Sequence, residues 1–286
     1  MTETPYLRPR DLDEALAARA AHPDWMILAG GTDLLVSSNH KPTPVGMLDL
    51  WRLAELCFVR VDADAIAIGA GTTWTEVERH PAIRERLAPL AAAAREIGAL
   101  QIQARGTLGG NVGTSSPVGD SLPALLALDA ELEVASTRGP RRVAYREWCT
   151  GYRKTQLAPD ELIIAAHIPV PAANVRTAWR KVGTRRAQSI SKIMGAAAIT
   201  LDGGLVVSAR VALGAVADRP IRIAAVEAAV RGVRLAEAGD AARAALRTAI
   251  TPIDDIRSTA TYRREVAENV VARFFAVGPG AGAGVP

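Results

Sequence analysis

Apolar and polar positions along this chain follow two periods, and the changes of period mark out its elements. Over residues 11–21, charged residues alternate with Leu12, Ala15, Leu16 and Ala18 at helical spacing, which predicts a short amphipathic helix. The apolar run Trp25-Met26-Ile27-Leu28 predicts a brief strand that leads straight into Ala29-Gly30-Gly31-Thr32-Asp33. Residues 45–50 and 65–69 read as further strands. Thr75 is placed to cap a helix, with Glu76 and Glu78 in its first turn. The Ala/Leu-rich stretch 81–98 predicts one long helix with Gly98 as its terminating glycine. A glycine-rich loop over 106–119 follows. Residues 120–128 resume as a helix with Pro123 in its first turn, and 131–136 read as a strand.

Around 170–176 the pattern breaks at Pro169, Pro171, Ala172, Ala173 and Asn174, which predicts a boundary between lobes. Strand-like segments at 196–201 and 205–216 flank Asp202-Gly203-Gly204, the signature of a hairpin turn. Helical patterns follow at 222–231, 236–247 and 262–275. The division is therefore 1–172, 173–277 and a tail at 278–286, whose Gly/Pro/Ala composition predicts flexibility. No internal repeat is apparent, and the order of elements predicts an α+β protein without regular βαβ alternation.

Composition narrows the chemistry. Of 286 residues, 49% are apolar and 22% charged, as in an ordinary globular protein with a sizeable core. The formal charge of +4 is mild, no Lys/Arg run reaches five and aromatics are only 4%, which argues against nucleic acid as a partner. The two cysteines, Cys57 and Cys149, are too few for an iron–sulfur cluster, which needs about four thiolates. They also lack CxxC spacing, and none of His22, His40, His80 and His167 has a second ligand at metal-binding spacing, so no metal is expected. Any redox chemistry here must use an organic cofactor. Residues 1–10 show no signal-peptide pattern and no stretch has the length of a membrane span, so the expected location is cytoplasmic, with no membrane partner.

Two loops carry the candidate chemistry. In Gly30-Gly31-Thr32-Asp33, adjacent glycines allow a tight turn and close approach of backbone N–H groups to an anion, and Thr32 adds a hydroxyl. Alone, this is also what a plain turn after a strand looks like. The second loop, Gly106-Thr107-Leu108-Gly109-Gly110-Asn111-Val112-Gly113-Thr114-Ser115-Ser116-Pro117, has four glycines and five small hydroxyl or amide side chains. A loop of that length within a compact domain is usually functional. Neither loop is G-x-G-x-x-G or ends in Gly-Lys-Ser/Thr, so neither Rossmann nor Walker-type binding is indicated. Two such loops without a lysine suit a diphosphate held by backbone and hydroxyl donors. Asp120 either caps the next helix or points its carboxylate into the site.

The first loop, residues 106–128, Gly151-Tyr152-Arg153-Lys154-Thr155 and Pro159-Asp160-Glu161-Leu162-Ile163 resemble the FAD-binding (medium) subunits and domains of the xanthine dehydrogenase, or molybdenum hydroxylase, family. The resemblance extends over nearly the whole chain, and Ser115-Ser116-Pro117-Val118-Gly119-Asp120 is closer to the xanthine dehydrogenase branch than to the carbon monoxide dehydrogenase branch. It implies a two-subdomain FAD-binding fold of the vanillyl-alcohol-oxidase type followed by a C-terminal α/β domain. By similarity, Ile27, Leu28, Ala29, Gly30, Gly31, Thr32, Asp33 and Leu34 would line the pyrophosphate and ribityl stretch of FAD. Thr107, Leu108, Gly109, Gly110 and Asn111 would bind the diphosphate and adenosine side, with Ile97 near the adenine. Asp120 would accept a hydrogen bond from the cofactor, and Ile163 would pack on the isoalloxazine. Lys181 would approach the ring's polar edge, where a cation favours the charge that develops on reduction. Otherwise Lys181 reads as a solvated strand residue, Asp33 as a turn-stabilising residue and Ile163 as core.

The implied function is that of an FAD-dependent oxidoreductase subunit in a heterotrimer. A molybdopterin-binding large subunit would oxidise the substrate, a 2Fe-2S small subunit would carry the electrons, and the FAD of this chain would pass them to NAD+ or another acceptor. By the same resemblance Arg185 and Arg186 would adjoin the flavin and shape the field around an acceptor; otherwise they read as surface residues. The alternatives are a stand-alone FAD-dependent oxidoreductase and a scaffold subunit that has lost its cofactor.

Overall fold

Strands β1 (Tyr6–Leu7), β2 (Met26–Leu28) and β3 (Met47–Asp49) form a parallel sheet in the order β1-β3-β2. Parallel neighbours need a crossover, and α1 (Leu12–Ala21) runs between β1 and β2. The Asp11 carboxylate caps α1 by accepting the Glu14 N–H at 2.8 Å, and Ala15 packs among Leu48, Leu50, Leu53 and Leu56. The computed structural model describes residues 4–35, 43–185 and 188–276. The expected tail over 278–286, together with His40 and Arg186, lies outside the described residues.

The second sheet is antiparallel. It comprises β4 (Val59–Val61), β5 (Ala65–Gly69), β6 (Glu131–Ser136) and β7 (Gly139–Ala144). After these, the short hairpin β8 (Cys149–Gly151) and β9 (Lys154–Thr155) leads to β10 (Leu162–Pro169), and the sheet order is β4-β5-β10-β6-β7. β10 is central, and its residues 162–166 are all buried, so the run shows no alternation for a reader of the sequence to detect. Strand β7, at one edge, carries Pro140, Arg141 and Arg142, which protect it from pairing with another chain.

Helices α2 (Trp74–Arg79), α3 (Pro81–Arg86), α4 (Ala88–Glu96), α5 (Leu100–Gln103), α6 (Leu108–Thr114) and α7 (Leu122–Ala127) connect β5 to β6, and α8 (Tyr145–Trp148) follows β7. Several expectations are corrected here. The cap of α2 is Thr73, in a reciprocal capping box with Glu76, and Thr75 lies inside the helix. The single helix expected over 81–98 is two, broken at Leu87 (φ −126°, ψ 47°). Pro89 explains the break, because in a continuous helix its ring would clash with the carbonyl four residues back, whereas in the first turn of a new helix it is tolerated. The glycine-rich stretch is not structureless: its first half is α6, capped by Thr107. Asp120 does not cap α7, whose flanking residue is Ser121.

The last unit is an antiparallel sheet of β11 (Val175–Val182), β12 (Ile193–Asp202), β13 (Leu205–Gly214) and β14 (Ile221–Arg222) in sequence order. The expected turn joins β12 to β13, with Gly203 and Gly204 at φ 53° and 82°. Ala197, Ile199, Val211 and Leu213 face α9 (Ala224–Val230), α10 (Leu235–Leu246) and α11 (Ala260–Ala276). Ala196 and Ala212 face the other way, into the core that holds Leu125 and Trp74. Arg210 and Arg222 donate to the carbonyls of Ala127 and Leu126 and pair with Asp129, which ties the end of α7 to this sheet. No helix among the described residues is long and apolar enough to cross a membrane.

Candidate functional site

A cleft of about 600 Å³ opens between the β2–β3 unit, the helices after β5 and the segment before β12. That volume is in the range of sites for organic cofactors. Of the residues named from sequence, Ile27, Ala29, Gly30, Gly31, Thr32, Asp33 and Leu34 line it on one side. Thr107, Gly109, Gly110 and Asn111 line it from the start of α6, Ile97 from the end of α4, and Asp120 and Ile163 also reach it. Leu28, Leu108 and Lys181 are not on its surface; Leu108 is fully buried behind it.

The two glycine loops touch. A Cβ on Gly30 would lie 1.8 Å from the Arg105 carbonyl oxygen and 3.0 Å from the Gly106 nitrogen, so residue 30 is glycine because the loops meet there. Gly109 is constrained likewise, since a Cβ would lie 2.7 Å from that of Ala70. Gly110 and Gly113 differ. A Cβ on Gly110 would meet only Thr107 Oγ1, at 3.0 Å, and on Gly113 only Ile163 Cδ1, at 3.5 Å. Their missing side chains leave space on the cleft side.

The donors are distributed unevenly between the loops. Around α6 the backbone N–H groups are spent: Leu108 donates to the Thr72 carbonyl, Gly109 to Ala70, Gly110 to Thr107 Oγ1 and Asn111 to the Thr107 carbonyl. In the first loop, no hydrogen bond among the described residues engages the N–H of Gly30, Gly31 or Thr32, or the Thr32 hydroxyl. Asn111 Oδ1 accepts from Ser121 Oγ at 2.7 Å, which fixes the amide and leaves its two N–H donors to the cleft. Among the described residues, backbone donors without a hydrogen bond therefore remain at Gly30, Gly31 and Thr32 in the first loop and at Thr107 and Ser116 in the second, while the first turn of α6 contributes side chains and space. Ile97, Ile102, Leu157, Ile163 and Ile190 supply apolar walls. This set fits a long, anionic, ring-bearing molecule: donors without a lysine for the charge, apolar surfaces for the rings and two glycines where a side chain would intrude.

Two buried carboxylates border the cleft. Asp120 accepts from Lys181 Nζ at 2.6 Å and from Ser191 Oγ at 2.5 Å. Burial pushes its carboxyl above the ordinary range, opposed by the Lys181 ammonium and the Ser191 hydroxyl. Lys181 is thus neither a solvated strand residue nor a lining one; it stands behind Asp120 and also donates to the Glu96 carbonyl at 3.0 Å. Glu161 is gripped by Arg141 through two bonds of 2.6 and 2.7 Å, which hold its carboxyl below the usual range. At the rim, Arg153 (φ 52°), in the tight turn between β8 and β9, pairs with Asp33 at 3.3 Å and ties that hairpin to the first loop. Arg185 donates twice to the Gln188 carbonyl, at 3.0 and 2.6 Å, so it closes its own loop.

Sequence reasoning did not name Glu161 as a site residue, nor the wall formed by Gln188, Ser189, Ile190 and Ser191. That wall comes from the C-terminal unit, with no glycine or charge pattern to mark it. Gly113, Thr114 and Ser116 also line the cleft, and the density of small polar residues in their loop was the available signal.

Comparison with known proteins adds an independent line. Residues 2–171 match the family described as the FAD binding domain in molybdopterin dehydrogenase, and 178–277 match the CO dehydrogenase flavoprotein C-terminal domain. The chain is 31% identical to the nicotinate dehydrogenase FAD-subunit of Eubacterium barkeri over 283 residues, covering 96% of each protein. It is 36% identical to the xanthine dehydrogenase FAD-binding subunit of Escherichia coli O157:H7 over 220 residues, 76% of this chain and 75% of the relative. Its fold superposes on a carbon monoxide dehydrogenase structure from Hydrogenophaga pseudoflava with a TM-score of 0.90 at 29% identity, covering 95% and 96% of the two chains.

Proposed function

This chain belongs to the FAD-binding subunits of the xanthine dehydrogenase family of molybdenum hydroxylases, and we propose that it passes electrons from a partner's 2Fe-2S clusters to NAD+ or another acceptor. A molybdopterin-binding large subunit and an iron–sulfur small subunit complete the assembly in this reading. The complex acts on a purine or another N-heteroaromatic, given the likeness of residues 115–120 to the xanthine dehydrogenase branch. The cofactor-binding domain spans 1–172, and the flavoprotein C-terminal domain 173–277.

The observation that carries the assignment is the cleft itself, lined by Gly30, Gly31 and Thr32, whose N–H groups no hydrogen bond among the described residues engages, by apolar walls, and by Gly110 and Gly113 with the open space beside them. FAD supplies the capacity to take up electrons and release them to a separate acceptor. The residues of this chain do the rest. Gly30, Gly31 and Thr32 would hold the diphosphate from a loop whose path is fixed against Arg105 and Gly106. Asn111, its amide oriented by Ser121, and the hydroxyls of Thr32, Thr114 and Ser116 add neutral donors. Ile97, Ile102, Ile163 and Ile190 would present apolar surface to the rings of FAD. The ion pair of Arg153 with Asp33 links the β8–β9 hairpin to the first loop at the rim.

The acceptor is tested with the FAD-loaded chain alone under anaerobic conditions. If NAD+ is the acceptor, excess NADH bleaches the visible flavin band by the reverse reaction, while an N-heteroaromatic substrate without the partner subunits does not. A flavin that NADH leaves oxidised rejects NAD+ in favour of another acceptor. Hydroxylation of substrate by the isolated chain would reject the division of labour among subunits.

A further inference from the structure

The loop 251–259, between α10 and α11, presents apolar side chains to solvent from a backbone held by its own hydrogen bonds. Ile253 is 69% exposed and Ile256 98%. A single exposed apolar residue is ordinary, but these two stand on a built loop. The Asp255 carboxylate accepts from the N–H groups of Arg257 at 2.8 Å and Ser258 at 3.1 Å, and from the Arg263 guanidinium at 2.7 Å. Asp255 and Ser258 also exchange backbone hydrogen bonds, and the Asp254 carboxylate accepts from the Ala260 N–H at the start of α11. Arg263 is buried and donates as well to the Ala215 carbonyl at 3.1 Å, while the Ala215 N–H donates to the Pro117 carbonyl, between the cleft-lining residues Ser116 and Val118. The loop is thus tied to a segment that borders the cleft. Exposed apolar and basic groups continue from it in the same direction. Lys192 Nζ lies 4.8 Å from the ring centre of Tyr262, an exposed residue in the first turn of α11. Lys192 directly follows the 188–191 wall, in which Ile190 both lines the cleft and is open to solvent. Of the loop's two carboxylates, Asp255 is taken up by Arg263 and Arg257, which leaves Asp254 against the positive charge of Lys192 and Arg257.

We propose that loop 251–259, with the Tyr262–Lys192 edge beside it, is the docking surface for the iron–sulfur subunit, and that Ile256 is the anchor that enters an apolar pocket of that partner. Three arguments select this occupant. Electrons must reach the cleft from another chain, and electron transfer falls off steeply with distance, so the donor sits where the outer surface runs up to the cleft wall. A 2Fe-2S cluster held by thiolates is a net anion, and the face offered to it is basic. An anchor fixed before binding loses little conformational freedom on association, and the hydrogen bonds of Asp254 and Asp255 fix this one. The inference rests on the proposed function, which makes an iron–sulfur subunit the electron donor.

Photocrosslinking in the assembled complex tests it. The full chain, with Ile256 replaced by p-benzoylphenylalanine, is co-expressed with the large and iron–sulfur subunits, and the irradiated product is identified by mass spectrometry. The expected adduct is with the iron–sulfur subunit. An adduct with the large subunit or with a second copy of this chain, or no adduct in a complex that has assembled, overturns the proposal. A second arm measures affinity, by calorimetric titration of the FAD-loaded chain with purified iron–sulfur subunit. Ile256→Asp is expected to raise the dissociation constant by about tenfold or more, as loss of a central anchor does. Its melting temperature and FAD content should stay at wild-type values, because the side chain touches almost nothing of its own chain. Arg257→Glu is expected to weaken binding by about several-fold and to flatten its dependence on salt. An unchanged dissociation constant for Ile256→Asp overturns the proposal as well. A wild-type chain that assembles with neither subunit would instead sink the proposed function, a result distinct from a complex that forms without Ile256 at the contact.

Discussion

Gly30 and Gly113 both line the cleft, and their substitutions should behave in opposite ways. A methyl group on Gly30 would enter the Arg105 carbonyl, where backbone cannot give way, so Gly30→Ala is expected to cost about 3 kcal/mol of stability as an overpacking change, read as a lowered melting temperature. Gly113 lies in helix α6 with only Ile163 within reach, so Gly113→Leu should fold with a stability within about 1 kcal/mol of wild type, leucine being a better helix former than glycine. It should nevertheless bind FAD at least tenfold more weakly (an order-of-magnitude expectation for a cofactor pocket filled by a side chain), which titration of the folded variant measures. Unchanged affinity would remove Gly113 from the site. Glu161 tests the electrostatics. Its folded pKa lies below the unfolded value because Arg141 binds the carboxylate, so the pairing stabilises the protein above the unfolded carboxyl range and is lost as pH falls through the folded value. The gap in melting temperature between wild type and Glu161→Gln should be full at neutral pH and close in acid. Its size should be only about 1 kcal/mol, because Arg141 remains 41% exposed. A gap independent of pH would contradict this account.

At the scale of elements, what could be read from sequence depended on whether the deciding contact was local. The strand at 65–69 and the Gly203-Gly204 hairpin matched expectation because alternation and turn chemistry are properties of neighbours in the chain. Helix α6 was not legible, because Gly109, Gly110 and Gly113 all disfavour helix. It forms because Leu108 and Val112 are fully buried, Thr107 caps it, and Thr72 and Ala70 accept its first N–H groups. The break between α3 and α4 did have a local signal in Pro89, which the alanine-rich pattern outweighed. Lys181 had none: its partner is 61 residues away and its apparent polarity suggested solvent. The alanines of β12 make a related point, since they look like weak strand formers yet allow α7 to approach the sheet. Ala196→Leu is therefore expected to cost about 1–3 kcal/mol by overpacking, which chemical denaturation would register. A neutral effect would show slack between the C-terminal sheet and the cofactor domain.

For the whole molecule, the first glycine loop from one unit, the helices of a second together with its glycine-rich segment, and the 188–191 wall of a third close around one cleft. Legibility at this scale came from the resemblance of motifs, because the loops alone indicated a diphosphate and not which one. The architecture has no place for iron–sulfur ligands, with Cys57 and Cys149 as its two cysteines, so electrons must arrive from another chain in the proposed function. The most direct measurement is therefore cofactor uptake by this chain without partners. Purified protein stripped of ligand is titrated with FAD and, in parallel, with FMN, and bound flavin is counted per chain. The account predicts one FAD per chain, a perturbed visible flavin band and much weaker uptake of FMN, which lacks the adenosine and the second phosphate. A chain that stays colourless with FAD, or that binds FMN as tightly, would contradict it.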